Sequence, residues 1–252
     1  MNEPRPVTET ASTAPPLEGT GSGLRLRRAK ADDAEAIFAL KRRLRISPGA
    51  SRSQPGGFLL GVSLARYAEL ISHANVLVLE GPRLGGSRGG RPLVGFSVTL
   101  PDGVLRRSPL WARRDAIVWS AEAPAFTESA PIGYFDQIAC APGSSGRLGA
   151  SALALCALLD LLSAGHQHVF ATVVRAPVHN LAALRMLAAV GARHVGQLRE
   201  DYEDLPDLRS DVYHLDCSAP SLATPWNHTP LGRRIARMMA RWTDADREAR
   251  AP

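Results

Sequence analysis

The stretch "CAPGSSGRLGASALALCALLDLL" (residues 140–162) decides the fold, because a glycine- and serine-rich loop leads directly into a segment that is apolar nearly all round. A helix that is apolar on every side is buried, so we expect residues 149–165 to form a helix packed against a sheet. The start of such a helix exposes backbone N–H groups, which bind anions such as diphosphates. Ser144 or Ser145 capping the helix above a simple turn is the other interpretation of the same residues.

Outward from this stretch, the chain alternates between strand and helix patterns. Strands are predicted at 24–29, 75–80, 91–101, 132–141, 168–174, 193–201 and 210–217. Helices are predicted at 31–46, 63–74, near 109–119, at 149–165 and at 180–191. This order predicts an α+β fold, close to α/β in character, with a mixed central sheet of six to seven strands flanked by helices.

The two ends of the chain differ from its middle in composition. Residues 1–23 mix proline, threonine and glycine with few large apolar groups and are predicted to be a disordered leader. Residues 24–217 are predicted to form one domain, and residues 218–252 a linker followed by a basic amphipathic helix. The apolar stripe of that helix would allow it to dock on its own domain, to form a homodimer or to lie on an anionic surface.

The charge and the apolar runs limit the possible partners and location. Thirty basic residues against 24 acidic ones give a formal net charge of +6, and only Lys30 and Lys41 are lysines. The arginine runs at 25–28 and 41–45 either face solvent or attract phosphate groups nonspecifically, so no specific nucleic-acid partner is expected. The chain has neither an apolar signal core at its start nor a run of about 20 apolar residues, so we expect no transmembrane segment and a cytoplasmic protein.

The loop after Pro142 resembles one of three phosphate-binding patterns. It lacks the lysine of a nucleoside-triphosphate loop, and its glycines are spaced by three, unlike G-x-G-x-x-G. It is similar to the loop of the GNAT superfamily of acyl-CoA-dependent N-acetyltransferases, which runs roughly V-x-P-x-x-R-G-R-G-x-G-x-A-L. The matching residues are Gly146, Arg147, Ala150, Ala152 and Leu153. Ser145 and Leu148 stand where an arginine or glutamine and a glycine are usual.

A second motif of the same family follows on the next predicted helix. The family pattern is N-x-x-[A/S]-x-x-[L/F]-[Y/H]-x-x-x-G-F, and the corresponding residues of this chain are Asn180, Ala183, Met186, Leu187 and Gly191. Taken alone, Asn180 is either a helix cap or a ligand group. With both motifs in the expected order, the resemblance covers most of residues 24–217.

The resemblance implies a sheet splayed after its fourth strand, with acetyl-CoA bound in the gap. The pantetheine arm would pair with the strand "QIACA" (137–141) as an added strand, and the diphosphate would lie on the loop amides. The implied cofactor-binding residues are Ile138, Ala139, Cys140, Ser145, Gly146, Arg147, Leu148, Gly149, Ala150, Ser151, Asn180, Ala183 and Leu187.

The family reaction is the direct transfer of an acetyl group to an amine, which needs a base because an ammonium group has no lone pair. Asp136 is the only carboxylate on its strand and the first choice of base, although it could also be a structural carboxylate. Period-two alternation predicts that Tyr134, Asp136, Ile138 and Cys140 share one face. Leu187 occupies the place of the family's usual tyrosine acid, so the thiolate would leave unaided, be protonated by water, or be protonated by another phenol: Tyr134, Tyr202 or Tyr213.

Two functions of different classes follow from these residues. The first is an N-acetyltransferase that acts on the primary amine of a small molecule or peptide, with Asp136 and Tyr134 as its catalytic residues. The alternative is a non-catalytic GNAT-fold module that binds CoA or a protein partner. His166 and His168 have no third ligand nearby in the sequence, so no metal is expected in either case.

Overall fold

Eight strands form one sheet in the computed structural model, which describes residues 23–45, 61–82, 90–124, 130–142, 144–202 and 205–217. The strands are β1 (Arg25–Arg28), β2 (Asn75–Glu80), β3 (Leu93–Leu100), β4 (Val118–Trp119), β5 (Ile132–Cys140), β6 (His168–Ala176), β7 (Arg193–Tyr202) and β8 (Leu205–Asp216). Their order is β1-β2-β3-β5-β6-β8-β7-β4, and only β5 and β6 run parallel. The predicted mixed sheet is confirmed, with eight strands instead of six or seven.

Helices cover both faces of this sheet. The helices are α1 (Ala34–Leu44), α2 (Leu64–His73), α3 (Asp102–Leu105), α4 (Pro109–Ala112), α5 (Ser144–Ser163) and α6 (Leu181–Ala189). Short 3-10 turns occupy Ala31–Asp33 and Arg113–Ala116. One hydrophobic core lies between the sheet and α1 and α2, and a second lies between the sheet and α5 and α6. The flanking helices predicted from the sequence are therefore confirmed.

The strand β2 shows why both faces are covered. Val76 and Val78 pack into the core under α1 and α2, whereas Leu77 and Leu79 pack into the core under α5. A strand buried on both faces has a continuous apolar sequence instead of an alternating one. The run "NVLVLE" therefore marks a central strand.

Gly149 lets α5 approach the sheet closely. A Cβ atom at this position would overlap the side chain of Leu79, which is only 1% exposed. The helix also begins at Ser144, five residues before its predicted start at residue 149. The glycine-rich segment is thus largely part of the helix instead of the loop before it.

The secondary structure of residues 102–124 differs from the predicted one. A helix near 109–119 was expected, but α4 ends at Ala112, the 3-10 turn ends at Ala116, and β4 pairs with β7. Pro109 is the first residue of α4, a helix position at which proline is common. The pairing of β4 depends on Gly196 of β7, where a Cβ would lie 2.9 Å from the carbonyl oxygen of Val118. The prediction was wrong beyond Ala116 because this pairing is long-range.

Two of the arginines of β1 form short ion pairs with buried carboxylates. Arg27 binds Asp33 at 2.6 Å and Glu80 at 2.6 Å, and Arg28 binds Asp160 of α5 at 2.5 Å. Burial alone would raise the pKa of Asp33, yet the hydrogen bonds from Arg27 and from the backbone of Lys30 hold that pKa below its usual value. These arginines connect elements of the fold. This role differs from both predictions for the run at 25–28, which were solvent exposure and nonspecific attraction of phosphate groups.

Two predicted segments lie outside the described residues: the leader, apart from Gly23, and the linker with the C-terminal helix. No helix in the described part of the chain is long and apolar enough to span a bilayer.

Candidate active site

The parallel strands β5 and β6 separate partway along their length. They pair from Ile132 opposite His168 to Phe135 opposite Ala171, and beyond that point β5 continues to Cys140 and β6 to Ala176 without pairing to each other. The backbone edges that face the gap are therefore not used by the sheet. The splay predicted after the strand at 132–141 is confirmed.

The helix α5 begins beside the end of β5. The N–H groups of Ser145 and Gly146 lie in its first turn, where no preceding turn supplies a carbonyl acceptor. Arg147 is the last residue of that first turn. Four of the predicted phosphate-binding amides lie deeper in the helix and donate to its own carbonyls: those of Leu148, Gly149, Ala150 and Ser151. The amides available to an anion are thus fewer than the sequence predicted.

A β-bulge at Asp136 reverses the alternation of β5. In the pairing with β3, Gln137 lies opposite Val98 and Phe135 opposite Thr99, so Asp136 is an extra residue. The prediction that Tyr134, Asp136, Ile138 and Cys140 share a face is therefore wrong. Ile138 and Cys140 belong to the core beside α5, whereas Tyr134 belongs to the core beside α1 and α2.

A cavity of about 390 Å³ lies on the α2 side of the sheet, at the point where β5 and β6 separate. Residues of β3, β5, β6, β7 and β8 line it from the sheet, and Gly61, Val62, residues of α2 and residues of the segment 105–119 complete the lining. Tyr134, Asp136 and Thr172 are among these residues, so the bulge places the predicted base and the predicted phenol in the same cavity.

The environment of Asp136 sets its proton affinity. Its carboxylate is half-buried and accepts a hydrogen bond from Nε2 of Gln137 at 3.0 Å. Burial raises the pKa of Asp136 to about 6, although the bond from Gln137 and the positive charges of Arg66 and Arg113 act in the opposite direction. A carboxylate with this pKa is ionised near neutral pH and still accepts a proton readily.

A hydrogen-bond chain from α2 fixes the orientation of Gln137. The hydroxyl of Tyr67, which is fully buried, donates to Oε1 of Gln137 at 2.6 Å. The amide of Gln137 then presents its NH₂ group to Asp136. Burial and the nearby charge of Asp136 raise the pKa of Tyr67. Tyr67 and Gln137 were not predicted as site residues, because no sequence signal connects two residues that meet only in the folded protein.

Tyr134 links the two strands just before they separate. Its hydroxyl lies 2.7 Å from Oγ1 of Thr172 on β6. Tyr213 instead lies beside α6, where it lines a small cavity with Leu187. The side chain of Tyr202 is outside the described residues. Of the two candidate phenols whose positions are described, Tyr134 is the one in the cavity with Asp136.

The thiol of Cys140 is packed between helix and sheet. A Cβ at Gly95 would lie 2.6 Å from its Sγ atom, and a Cβ at Gly149 would lie 3.8 Å from it. Burial raises the pKa of Cys140 to about 12, so the group is a protonated thiol near neutral pH. The backbone of Cys140, with that of Ile138 and Ala139, belongs to the part of β5 that faces the gap.

The start of α6 combines a cap with a link to the gap. The side chain of Asn180 accepts a hydrogen bond from the N–H of Ala183 at 3.2 Å, and its own N–H donates to the carbonyl of Val174 at 3.0 Å. Val174 lies on the part of β6 that has separated from β5. Asn180 is thus a helix cap placed at the edge of the gap. Leu187 is 7% exposed and packs into the core.

The histidine pair singled out in the sequence has structural contacts. His166 is buried, its Nε2 accepts from the N–H of Asp102 at 2.9 Å, and its Nδ1 lies 2.9 Å from the carbonyl of Leu161. His168 lies 3.1 Å from His214. Within the described ranges, no group of three or more His, Cys, Asp or Glu residues has the geometry of a metal site.

Comparison with known proteins gives a result only at the level of structure. No family model and no curated protein matches the sequence. The solved structure of a mutant of agmatine N-acetyltransferase in its apo form matches with a TM-score of 0.51 at 14% identity, over 77% of this chain and 99% of that one. NAA60 of Arabidopsis thaliana in complex with acetyl-CoA matches with a TM-score of 0.50 at 16% identity, over 77% and 99%. The same protein in complex with a bisubstrate analogue matches with a TM-score of 0.50 at 14% identity, over 77% and 97%. The chain therefore has the fold of the GNAT N-acetyltransferases, as its two motifs predicted.

Proposed function

We propose that the protein transfers an acetyl group from acetyl-CoA to the primary amine of a small molecule or peptide. The observation that carries this proposal is the bulge in β5, which presents Asp136 to a cavity at the point where β5 and β6 part. The structural neighbours include an agmatine acetyltransferase and a protein crystallised with acetyl-CoA, which supports the same reaction class.

The residues around the gap suit a CoA thioester. The edge of β5 at Ile138, Ala139 and Cys140 has backbone groups that β6 does not use, and an extended arm can pair with such an edge. The amides of Ser145 and Gly146 in the first turn of α5 suit the diphosphate. Asn180, Ala183 and Leu187 would lie along the α6 side. When bound, acetyl-CoA would supply a thioester whose carbon–sulfur bond breaks as the amine nitrogen forms its bond to carbon.

Asp136 would act as the base in this reaction. The acceptor arrives mainly as an ammonium ion, and the carboxylate of Asp136 removes a proton so that nitrogen has a lone pair. Gln137 holds one oxygen, Oδ2, at 3.0 Å, which orients the carboxylate. The raised pKa of about 6 brings the proton affinity of Asp136 closer to that of the amine.

Tyr134 would return a proton to the departing sulfur. Leu187, at the family's usual acid position, is a buried apolar residue and has no proton to give. The hydroxyl of Tyr134 lines the cavity and is oriented by its contact with Thr172 at 2.7 Å. The thiolate formed by bond cleavage would then leave as a thiol, and the second proton that the nitrogen loses as the amide forms would restore the hydroxyl of Tyr134.

Release of free thiol measures this activity, and calorimetric titration with acetyl-CoA measures binding. We expect the wild type to bind acetyl-CoA and to release thiol with at least one amine from a panel of peptides and small amines. The substitution Asp136→Asn keeps the shape of the side chain, so binding should be unchanged while turnover falls by about 10²- to 10⁴-fold. The exposed residue Asp32 provides a control, because Asp32→Asn should leave both measurements unchanged.

The buried Leu187 favours one other function, a module that binds CoA without chemistry. For that function, titration would show binding of acetyl-CoA, no amine would release thiol, and Asp136→Asn would behave as the wild type.

A further inference from the structure

The charges around the cavity are unequal in number. Among the described residues that line it, Arg66, Arg113 and Arg114 carry guanidinium groups, whereas Asp136 and Glu200 carry carboxylates. From the sequence alone, Asp136 is the candidate base, Arg113 and Arg114 either receive an acidic acceptor or face water, and Arg66 and Glu200 have no assigned role. Their arrangement bears on which kind of amine the cavity would accept.

Arg113 and Glu200 form an ion pair within the lining. Nη1 of Arg113 lies 2.5 Å from Oε1 of Glu200, whose side chain is only 11% exposed. The two opposite charges of this pair largely offset each other at a distance, although the charge of Arg113 still lowers the pKa of Asp136. The charges that remain in the lining are then the guanidinium groups of Arg66 and Arg114 and the carboxylate of Asp136.

The carboxylate partners of Arg66 and Arg114 lie outside the cavity. Arg66 pairs with Glu69, whose side chain is 56% exposed, and Arg114 lies 3.5 Å from Asp115, whose side chain is 76% exposed. Neither acidic residue lines the cavity. Ion pairs between exposed groups are weak in water, so an anion inside the cavity can compete for both guanidinium groups.

The guanidinium group of Arg114 is held in place by Trp111. Its central carbon lies 4.6 Å from the centroid of the Trp111 ring, and its Nη1 donates to the carbonyl of Trp111 at 3.0 Å. A guanidinium group stacked on an aromatic ring keeps a fixed plane and can still bind an oxyanion through its other N–H groups. The same ring and Phe170 give the cavity an apolar surface.

We propose that the acceptor is an amine that also carries an anionic group, a carboxylate or a phosphate, with the amine at Asp136 and the anion at Arg66 and Arg114. This inference rests on the proposed acetyltransferase function. An acceptor with a second positive charge would instead meet two guanidinium groups, which disfavours polyamines. An apolar body between the amine and the anionic group would pack against Phe170, because the ring of Trp111 is already in contact with the guanidinium groups of Arg106 and Arg114.

The test compares matched pairs of amines that differ in the anion. The pairs are L-phenylalanine with L-phenylalaninamide, L-leucine with L-leucinamide, and O-phosphoethanolamine with ethanolamine. For each pair we would measure kcat/KM by thiol release, and binding by titration calorimetry in the presence of CoA. We expect the wild type to favour the anionic member of at least one pair. A preference in the amino acid pairs would indicate a carboxylate, and a preference in the ethanolamine pair would indicate a phosphate.

The variants Arg66→Gln and Arg114→Gln should each reduce that preference by about ten- to a hundredfold. The preference is the ratio of kcat/KM for the anionic amine to kcat/KM for its partner. Dividing the preference of the variant by that of the wild type cancels the different basicities of the two amines. Arg107→Gln, which removes an exposed arginine that does not line the cavity, should leave the preference unchanged.

The outcomes separate this inference from the proposed function. If amines are acetylated but no pair shows an anion preference, or if the preference survives both substitutions, the inference is wrong and the function stands. If no amine is acetylated but anionic amines bind and Arg66→Gln weakens them, the cavity recognises anionic amines and the proposed function is wrong. If the anionic amines neither bind nor react better than their partners, the inference is overturned.

Discussion

At the scale of the residue, the proposed role of Asp136 as a base conflicts with its effect on stability. Its pKa of about 6 in the folded protein lies above the ordinary value of 3.8, so ionising it costs more in the folded state than in the unfolded state. Below about pH 4 the carboxyl of Asp136 is protonated in both the folded and the unfolded state, so its ionisation does not change the free energy of unfolding. As pH rises from about 4 to 6 this ionisation lowers the free energy of unfolding, which stays lower above that range.

Asp136→Asn should stabilise the protein at pH 8 while it removes activity. We expect the free energy of unfolding to rise by about 1 to 2 kcal/mol, less than the full pKa shift implies because the carboxylate is only half-buried. Urea denaturation at pH 8 and at pH 4 measures this, and the difference between variant and wild type should nearly vanish at pH 4. An equal difference at both pH values would show that the ionisation of Asp136 is not what destabilises the wild type.

The hydrogen bond from Gln137 should be visible in the pH dependence of turnover. Asp136, the proposed base, would act in its ionised form, so kcat/KM should fall as pH drops below about 6. Gln137→Leu removes a bond that lowers the pKa of Asp136, and the acid limb should move upward by about half to one pH unit. Gln167→Leu, at an exposed glutamine, is the control. An acid limb that stays in place in Gln137→Leu would show that the bond does not act on the base.

How much of the site the sequence predicts depends on how local each signal is. Asp136 and Asn180 were found because each stands out within its own strand or helix motif. Tyr67 and Gln137 were missed because their contact joins residues 70 positions apart. The bulge was missed for the same reason, since it exists only in the pairing of β5 with β3.

At the scale of the element, the contact of α5 with the sheet depends on Gly149. We expect Gly149→Ala to lower the free energy of unfolding by about 1 to 3 kcal/mol, because the new methyl group would overlap Leu79 in a well-packed core. Urea denaturation of the variant and the wild type measures the loss.

Gly103→Ala is the matched control for this helix contact. Gly103 lies in α3, where a Cβ would meet only the end of the Arg107 side chain at 3.7 Å. Alanine favours the helical backbone more than glycine does, so this variant should be unchanged or more stable by up to about 1 kcal/mol. If both variants lost stability equally, the cost would come from the backbone and not from the contact with Leu79.

The helices and strands were predicted well where a residue pattern repeats along the chain. They were predicted poorly where pairing with a distant strand determines the structure. β2 and α6 agree with their predicted limits to within two residues because branched runs and capping residues mark their ends. β4 was missed because two residues carry no periodicity and its partner β7 lies far along the chain. The early start of α5 was missed because glycine and serine are typical of loops as well as of first helical turns.

At the scale of the whole molecule, the two sides of the sheet carry different parts of the proposed site. The side of α5 and α6 carries the glycine-rich helix start that suits a diphosphate, whereas the side of α1 and α2 carries the cavity with Asp136. The gap between β5 and β6 connects the two sides. A donor and an acceptor could therefore approach from opposite faces and meet where the strands part, without competing for the same entrance.

The ion pair of Arg28 with Asp160 links the edge strand β1 to α5 across 132 positions of the chain, and it should contribute to the stability of the whole domain. Asp160 is 4% exposed, so Arg28→Met would leave a buried carboxylate with less compensation, and we expect a loss of about 2 to 3 kcal/mol in the free energy of unfolding. In the double variant with Asp160→Leu the charge is gone as well, so the loss should be smaller than in Arg28→Met alone. Urea denaturation of the wild type, both single variants and the double variant gives the coupling energy. Purely additive losses would show that the pair does not join β1 to α5 energetically, and the stability of β1 would then have to come from its pairing with β2.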